Sequence, residues 1–136
     1  MLKKTIEYTD FNGVKRKEDF YFNLSKAELM EMELGVTGGM KQLLERIIQA
    51  DDMPKLMKEF KDLILRSYGE KSADGKRFIK SKELSDAFSQ TEAYSELFME
   101  LITDEKAAAA FANGIVPKEL ADEVQSQQAE LIAANA

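Results

Sequence analysis

The sequence predicts a mainly α protein, a single small helical domain preceded by an N-terminal β-hairpin. Three observations lead there. From Lys3 to Asn23 aromatic and β-branched residues recur with period two around Asn12-Gly13, the strongest short-range hairpin signal. After Asn23 the apolar spacing changes to three and four residues, the period of an amphipathic helix. The chain, at 136 residues, suits one domain of ordinary size, with a core that needs neither disulfide nor metal.

In the hairpin, Ile6 and Tyr8 share one face, and so do Phe20 and Phe22. A two-residue Asn-Gly loop would pair even positions with odd ones and set Ile6 opposite Asp19. A loop of three or five residues, with a bulge, is therefore expected, because it brings both apolar sets to a common face. A lone hairpin is barely stable in water, so this one must lie on the helices or lend its edge to another chain.

Ser25 and Glu28 form a capping box inside a hydrophobic staple of Leu24 and Leu29, which starts a helix at Ser25. That helix should stop near Gly35, with Thr37-Gly38-Gly39 opening a second helix through about Ala50. Asp51, Asp52 and Pro54 mark a further start, since proline is tolerated in a first turn and acidic residues suit the positive helix end. Met53, Leu56, Met57, Phe60, Leu63, Ile64 and Tyr68 then make one apolar face, ended by Gly69.

Glu70 to Arg77, with Asp74-Gly75, reads as an exposed polar loop. Amphipathic helices follow over Ser81 to Ser89 and Thr91 to Ile102. Asp104-Glu105-Lys106 opens another, from Ala107 to Phe111, with Asn113-Gly114 as a left-handed stop and Pro117 beginning the last helix. The helical domain with its hairpin (residues 1–23) is placed at 1–124. Residues 125–136, rich in Gln and Ala, have no aromatic anchor and are expected to form a mobile tail.

The composition excludes much chemistry. The chain has no histidine, cysteine or tryptophan, which removes the usual neutral-pH proton shuttle and the strongest side-chain nucleophile. Lys and Arg number 19 against 25 Asp and Glu, a net charge of -6, so nucleic acid is not an expected partner. The densest basic run, Lys15-Arg16-Lys17, is followed at once by Glu18-Asp19. No stretch approaches the roughly 20 apolar residues that span a bilayer and no signal segment opens the chain, so a cytosolic protein without membrane contact is expected.

Candidate sites dissolve one by one. Asp51-Asp52 fits a helix cap better than a metal site, and Gly35 to Gly39 with Lys41 misses the spacing of a phosphate loop. Positions three and five after Asp74 are Arg77 and Ile79, which cannot ligate calcium. Ser85, Ser89 and Ser95 have no histidine base, and a Ser-Lys dyad has no motif behind it. No catalytic, cofactor or metal site is expected, and the chain reads as a protein that binds other protein. Its seven methionines, mostly at helical spacing with Leu and Phe, suit adaptable contacts as well as core filling.

The most distinctive segment is Phe111-Ala112-Asn113-Gly114-Ile115-Val116-Pro117, a tight corner under which Phe111, Ile115 and Val116 should be buried. With the aromatic hairpin, the capped helical body and Ile102-Thr103-Asp104-Glu105-Lys106-Ala107, it resembles the tail assembly chaperones of long-tailed bacteriophages over approximately Thr5 to Glu123. The resemblance rests on packing and turn signals.

It implies a non-enzymatic protein that coats the tape measure protein, keeps it soluble and departs as tail tube subunits polymerise. The protein would work in the cytoplasm of the infected host and be absent from the finished virion. It implies as well a frameshifted longer product that recruits the tube protein. Self-association is expected through the hairpin edge and apolar helix faces, with Tyr8, Phe20, Phe22, Met53 and Met57 as candidate contacts. The competing assignments are a head-tail completion or minor tail protein retained in the particle, and a small enzyme using carboxylates and lysines.

Overall fold

The computed structural model describes residues 1–35 and 53–117. Strands β1 (Leu2–Thr9) and β2 (Lys15–Phe22) come first, then helices α1 (Lys26–Gly35) and α2 (Met53–Ser67). Strands β3 (Tyr68–Lys71) and β4 (Phe78–Ile79) follow, and α3 (Lys82–Ser89), α4 (Glu92–Thr103) and α5 (Glu105–Ile115) complete the described chain.

The expected hairpin is present, and its loop is odd. β1 and β2 pair antiparallel from Leu2↔Phe22 to Thr9↔Lys15, which leaves five residues between the strands. Even positions thus face even positions, and Ile6, Tyr8, Phe20 and Phe22 share the face that meets the core. Gly13 takes φ +80, and the Asp10 amide donates to the Val14 carbonyl at 2.9 Å. Asp10 Oδ1 accepts from the amides of Asn12 and Val14, both at 2.9 Å, and Asp10 Oδ2 from Arg16 Nε at 2.6 Å. Gly13 supplies the left-handed residue and Asp10 holds the loop backbone, as a three-residue loop with a bulge requires.

The fold is mixed α and β rather than mainly α. Tyr68–Lys71 and Phe78–Ile79 form a second hairpin, and the four strands make one antiparallel sheet in the order β1-β2-β3-β4. The polar segment after Gly69 is accordingly a hairpin whose turn is closed by Ser72, Asp74 and Gly75, the last at φ +73. Nor does α2 include Tyr68. The helix ends at the buried Ser67, whose hydroxyl donates to the Leu63 carbonyl at 2.8 Å, and Tyr68 pairs with Phe22 as the first residue of β3. Six residues of strand carry too few alternations to show a period, whereas Tyr68 fits the helical spacing by coincidence.

The helices begin where their caps place them. The Glu28 amide donates to Ser25 Oγ at 3.1 Å while Glu28 Oε1 accepts from the Ser25 amide at 2.9 Å, a complete capping box. Ser81, Thr91 and Asp104 cap α3, α4 and α5. α5 does not stop at Asn113-Gly114 but runs through both to Ile115. Gly114 packs beside Leu2, whose Cδ1 would stand 2.9 Å from a Cβ there. The expected helix over Thr37 to Ala50, the caps at Asp51 and Asp52, the helix opened by Pro117 and the tail 125–136 lie outside the described residues.

One core joins these elements. Phe22, Leu24, Phe60, Ile64, Leu97, Leu101 and Ile115 are fully buried in it, with Phe111 and Val116 as expected. The link after β2 is pinned from both sides: the Asn23 amide donates to the Ser67 carbonyl and the Leu24 amide to the Ile115 carbonyl, each at 2.7 Å. Phe88 of α3 is the ring on which the two hairpins meet. It stacks on Tyr68 at 4.2 Å and contacts Phe20 at 5.2 Å, Phe22 at 5.8 Å and Tyr94 at 5.9 Å.

Candidate binding surface

The five candidate contact residues divide into two groups. Tyr8 and Phe20 are neighbours on the sheet, with ring centroids 6.3 Å apart and both half-buried. Phe22, one pleat further, is fully buried against Tyr68, Phe88 and Phe111, so its ring belongs to the core. The Tyr8 hydroxyl donates to Glu18, and this bond, more than its partial burial, raises the phenol above its ordinary pKa. Tyr8 thus keeps its proton and presents a ring edge beside a carboxylate.

Met53 and Met57 form the second group, on α2. Four residues apart, they lie on one flank of its first turns, 44% and 38% exposed, while Leu56, Phe60, Leu63 and Ile64 face the core. Other apolar side chains are exposed too, Met30 and Met99 from among the methionines at helical spacing, and Phe11 and Val14, which the sequence reading does not single out. Phe11, at the tip of the first hairpin, is 77% exposed, and Met30 of α1 is 66% exposed. Phe11 was legible in principle, because a residue between Asp10 and Asn12-Gly13 must stand on the loop and cannot turn inward.

Two open clefts could have revived a catalytic reading. One, of about 440 Å³, lies where β3 diverges from β2 after Tyr21↔Gly69, with Glu18, Asp19 and Glu70 on its walls and Lys71 Nζ 4.6 Å from the Tyr21 ring centre. Glu18 and Asp19 are successive strand residues that point to opposite faces, and they already accept from Tyr8 and Thr5. They do not converge on a substrate. The other, of about 460 Å³, brings Ser85 near Lys80 and Lys82. Ser85 Oγ donates to the Leu65 carbonyl at 3.0 Å and Lys80 Nζ is bonded to Glu28 at 2.6 Å, so no serine is poised beside a free amine of Lys80. Among the described residues no group of acidic side chains is placed to hold a metal ion, and no helix is long and apolar enough to cross a membrane.

A packed α and β body with flexible apolar side chains on its exterior is the form of a protein-binding module. The family model of the phage tail assembly chaperones matches residues 1–135, and the chain belongs to that family. Comparison with curated proteins and with solved structures gave no match. Its role is accordingly that of a chaperone in phage tail assembly.

Proposed function

We propose that the protein binds the tape measure protein in the host cytoplasm, keeps it soluble and helps recruit tail tube subunits, leaving before the virion is complete. The observation that carries this reading is the set of exposed methionines on the described helices, Met30, Met53, Met57 and Met99. Methionine is unbranched and polarizable, so such a surface accepts successive apolar stripes of a long helix without matching any one of them closely. Contacts of that kind are modest in area and dissociate readily, which suits a coat displaced by polymerising tube subunits.

Met53 and Met57 are the principal contacts in this reading, with Tyr8 and Phe20 on the first hairpin, and Phe22 acting only by shaping the sheet beside them. Self-association along the tape measure and a frameshifted longer product that reaches the tube protein complete it. Co-expression with the tape measure protein tests the reading. The wild type should raise its soluble fraction, and Met53→Lys with Met57→Lys should abolish the gain while the chaperone stays folded. Recovery of the protein at fixed stoichiometry in finished particles would instead make it a structural adaptor.

A further inference from the structure

Among the described residues β1 is a terminal strand of the sheet, and its outer edge is complementary to itself. The bond from the Asp10 amide to the Val14 carbonyl fixes which residues of β1 face β2. Because antiparallel ladders alternate, the backbone groups of Lys4, Ile6 and Tyr8 point to β2, and those of Lys3, Thr5 and Glu7 point to the open edge. The side chains of Lys3, Thr5 and Glu7 are exposed on the face away from the core.

We propose that β1 pairs antiparallel with β1 of a second copy of this chain, about a twofold axis at Thr5. This register sets Lys3 opposite Glu7 of the second copy, Thr5 opposite Thr5, and Glu7 opposite Lys3. Opposite charges and paired threonines are both favourable across a ladder. Registers centred on Lys3, Lys4 or Glu7 set like charges face to face, and one centred on Ile6 sets Lys3 and Glu7 opposite threonines and Lys4 opposite Tyr8. An odd offset would put the core face of one sheet on the solvent side of the other.

The neighbouring strand extends the pattern. Glu7 lies 3.7 Å from Lys17 of β2, so the row Lys17–Glu7–Lys3 alternates in sign across the joint, and Thr5 Oγ1 donates to Asp19 at 2.6 Å. Lys4 is the inward-pointing charge of β1, a device that commonly guards an edge. Here its Nζ is folded over the sheet onto Glu100 of α4 at 2.8 Å, and among the described residues no strand covers the edge N–H and C=O groups.

This assigns a surface to the self-association proposed above and does not depend on tape measure binding. Sedimentation of the full chain over a concentration series tests it. The wild type should form a reversible dimer. Thr5→Pro should abolish the dimer and leave the far-ultraviolet circular dichroism unchanged, because an edge residue whose N–H faces solvent tolerates proline. Lys3→Glu should weaken the dimer about tenfold, since two cross-strand pairs become like-charged, and adding Glu7→Lys should restore it.

A wild type that stays monomeric, or a dimer indifferent to these changes, overturns the proposal. A monomer that still solubilises the tape measure protein counts against the edge alone. A dimer that fails to do so counts against the proposed function alone. If the chain is monomeric and Thr5→Pro abolishes tape measure binding, the edge accepts a strand of that partner instead.

Discussion

The β1–β2 and β3–β4 hairpins close with related turns and are held in different ways. Each turn has an aspartate whose carboxylate accepts backbone amides and a glycine at positive φ, Asp10 with Gly13 and Asp74 with Gly75. The first pairs eight residues with eight and brings its own apolar face to the core. The second pairs Glu70↔Ile79 and Lys71↔Phe78. Two pairs cannot support a hairpin in water. It is held from outside: Tyr68 and Gly69 pair with β2, Tyr68 stacks on Phe88, and Lys80 just beyond β4 reaches Glu28 of α1. One hairpin is specified by its own residues, the other by its neighbours.

The largest expected effect comes from removing the ring on which the two hairpins meet. Phe88→Ala should cost about 4 kcal/mol, the middle of the range for a buried aromatic, because it leaves Phe20, Phe22 and Tyr68 around a common cavity. Urea denaturation followed by circular dichroism checks this. A loss below about 1 kcal/mol would mean that the hairpins do not share a core.

Gly69→Ala should separate them. A Cβ at Gly69 would stand 2.7 Å from the Ile79 carbonyl oxygen and from the Phe78 ring, so β4 must move, at a cost of about 2 kcal/mol or more. Gly114→Ala supplies the contrast. Its Cβ meets the movable tip of Leu2, and the gain of about 1 kcal/mol for alanine in a helix offsets the displacement. Amide exchange sharpens the result: Gly69→Ala should release the β3–β4 amides and leave the β1–β2 ladder protected.

The same contrast explains what the sequence could show. Ile6, Tyr8, Phe20 and Phe22 announced the first hairpin, and their parity announced its odd loop, because both are local properties. Ser25 and Glu28 likewise announced α1. The second hairpin lies in a segment whose polarity marks a loop, and its strand character comes from β2 and Phe88, which are distant in the chain. Asn113-Gly114 misled for a related reason, since the pair carries a turn signal that the packing of Leu2 overrides. Among the contact candidates, Met53 and Met57 read as part of the same apolar face as Leu56 and Phe60, and only the packing separates them as an exposed flank, just as Phe22 could be assigned to the core only once Tyr68 and Phe111 were placed around it.

Each hairpin hands the chain to a capped helix, and the caps differ by one bond. Ser25→Ala should cost about 1 kcal/mol, because it removes the acceptor of the Glu28 amide and breaks a reciprocal box. Ser81→Ala should cost less, near the lower end of about 0.5 kcal/mol. Ser81 accepts only from the Leu84 amide, and leucine at that position offers no return bond. Equal midpoint shifts for the two variants would remove the return bond of Glu28 as a source of stability.

The smallest effect is expected from acid, through the contact that ties the second hairpin to α1. Partial burial pushes the Glu28 carboxyl up, but the bonds from Lys80 and the Ser25 amide outweigh it and hold the pKa below its ordinary 4.5. A carboxyl with a depressed pKa in the folded state stabilises above the unfolded value, and loses that contribution as the pH falls through the folded one. Glu28→Gln should therefore lower the denaturation midpoint near neutral pH, and the gap from the wild type should narrow once the pH is well below 4.5. Lys80→Met, which removes the same ion pair from the other side, should narrow over the same range. If the Lys80→Met gap is instead constant with pH, Lys80 contributes through the packing of its stem, and its ion pair with Glu28 does not hold the second hairpin.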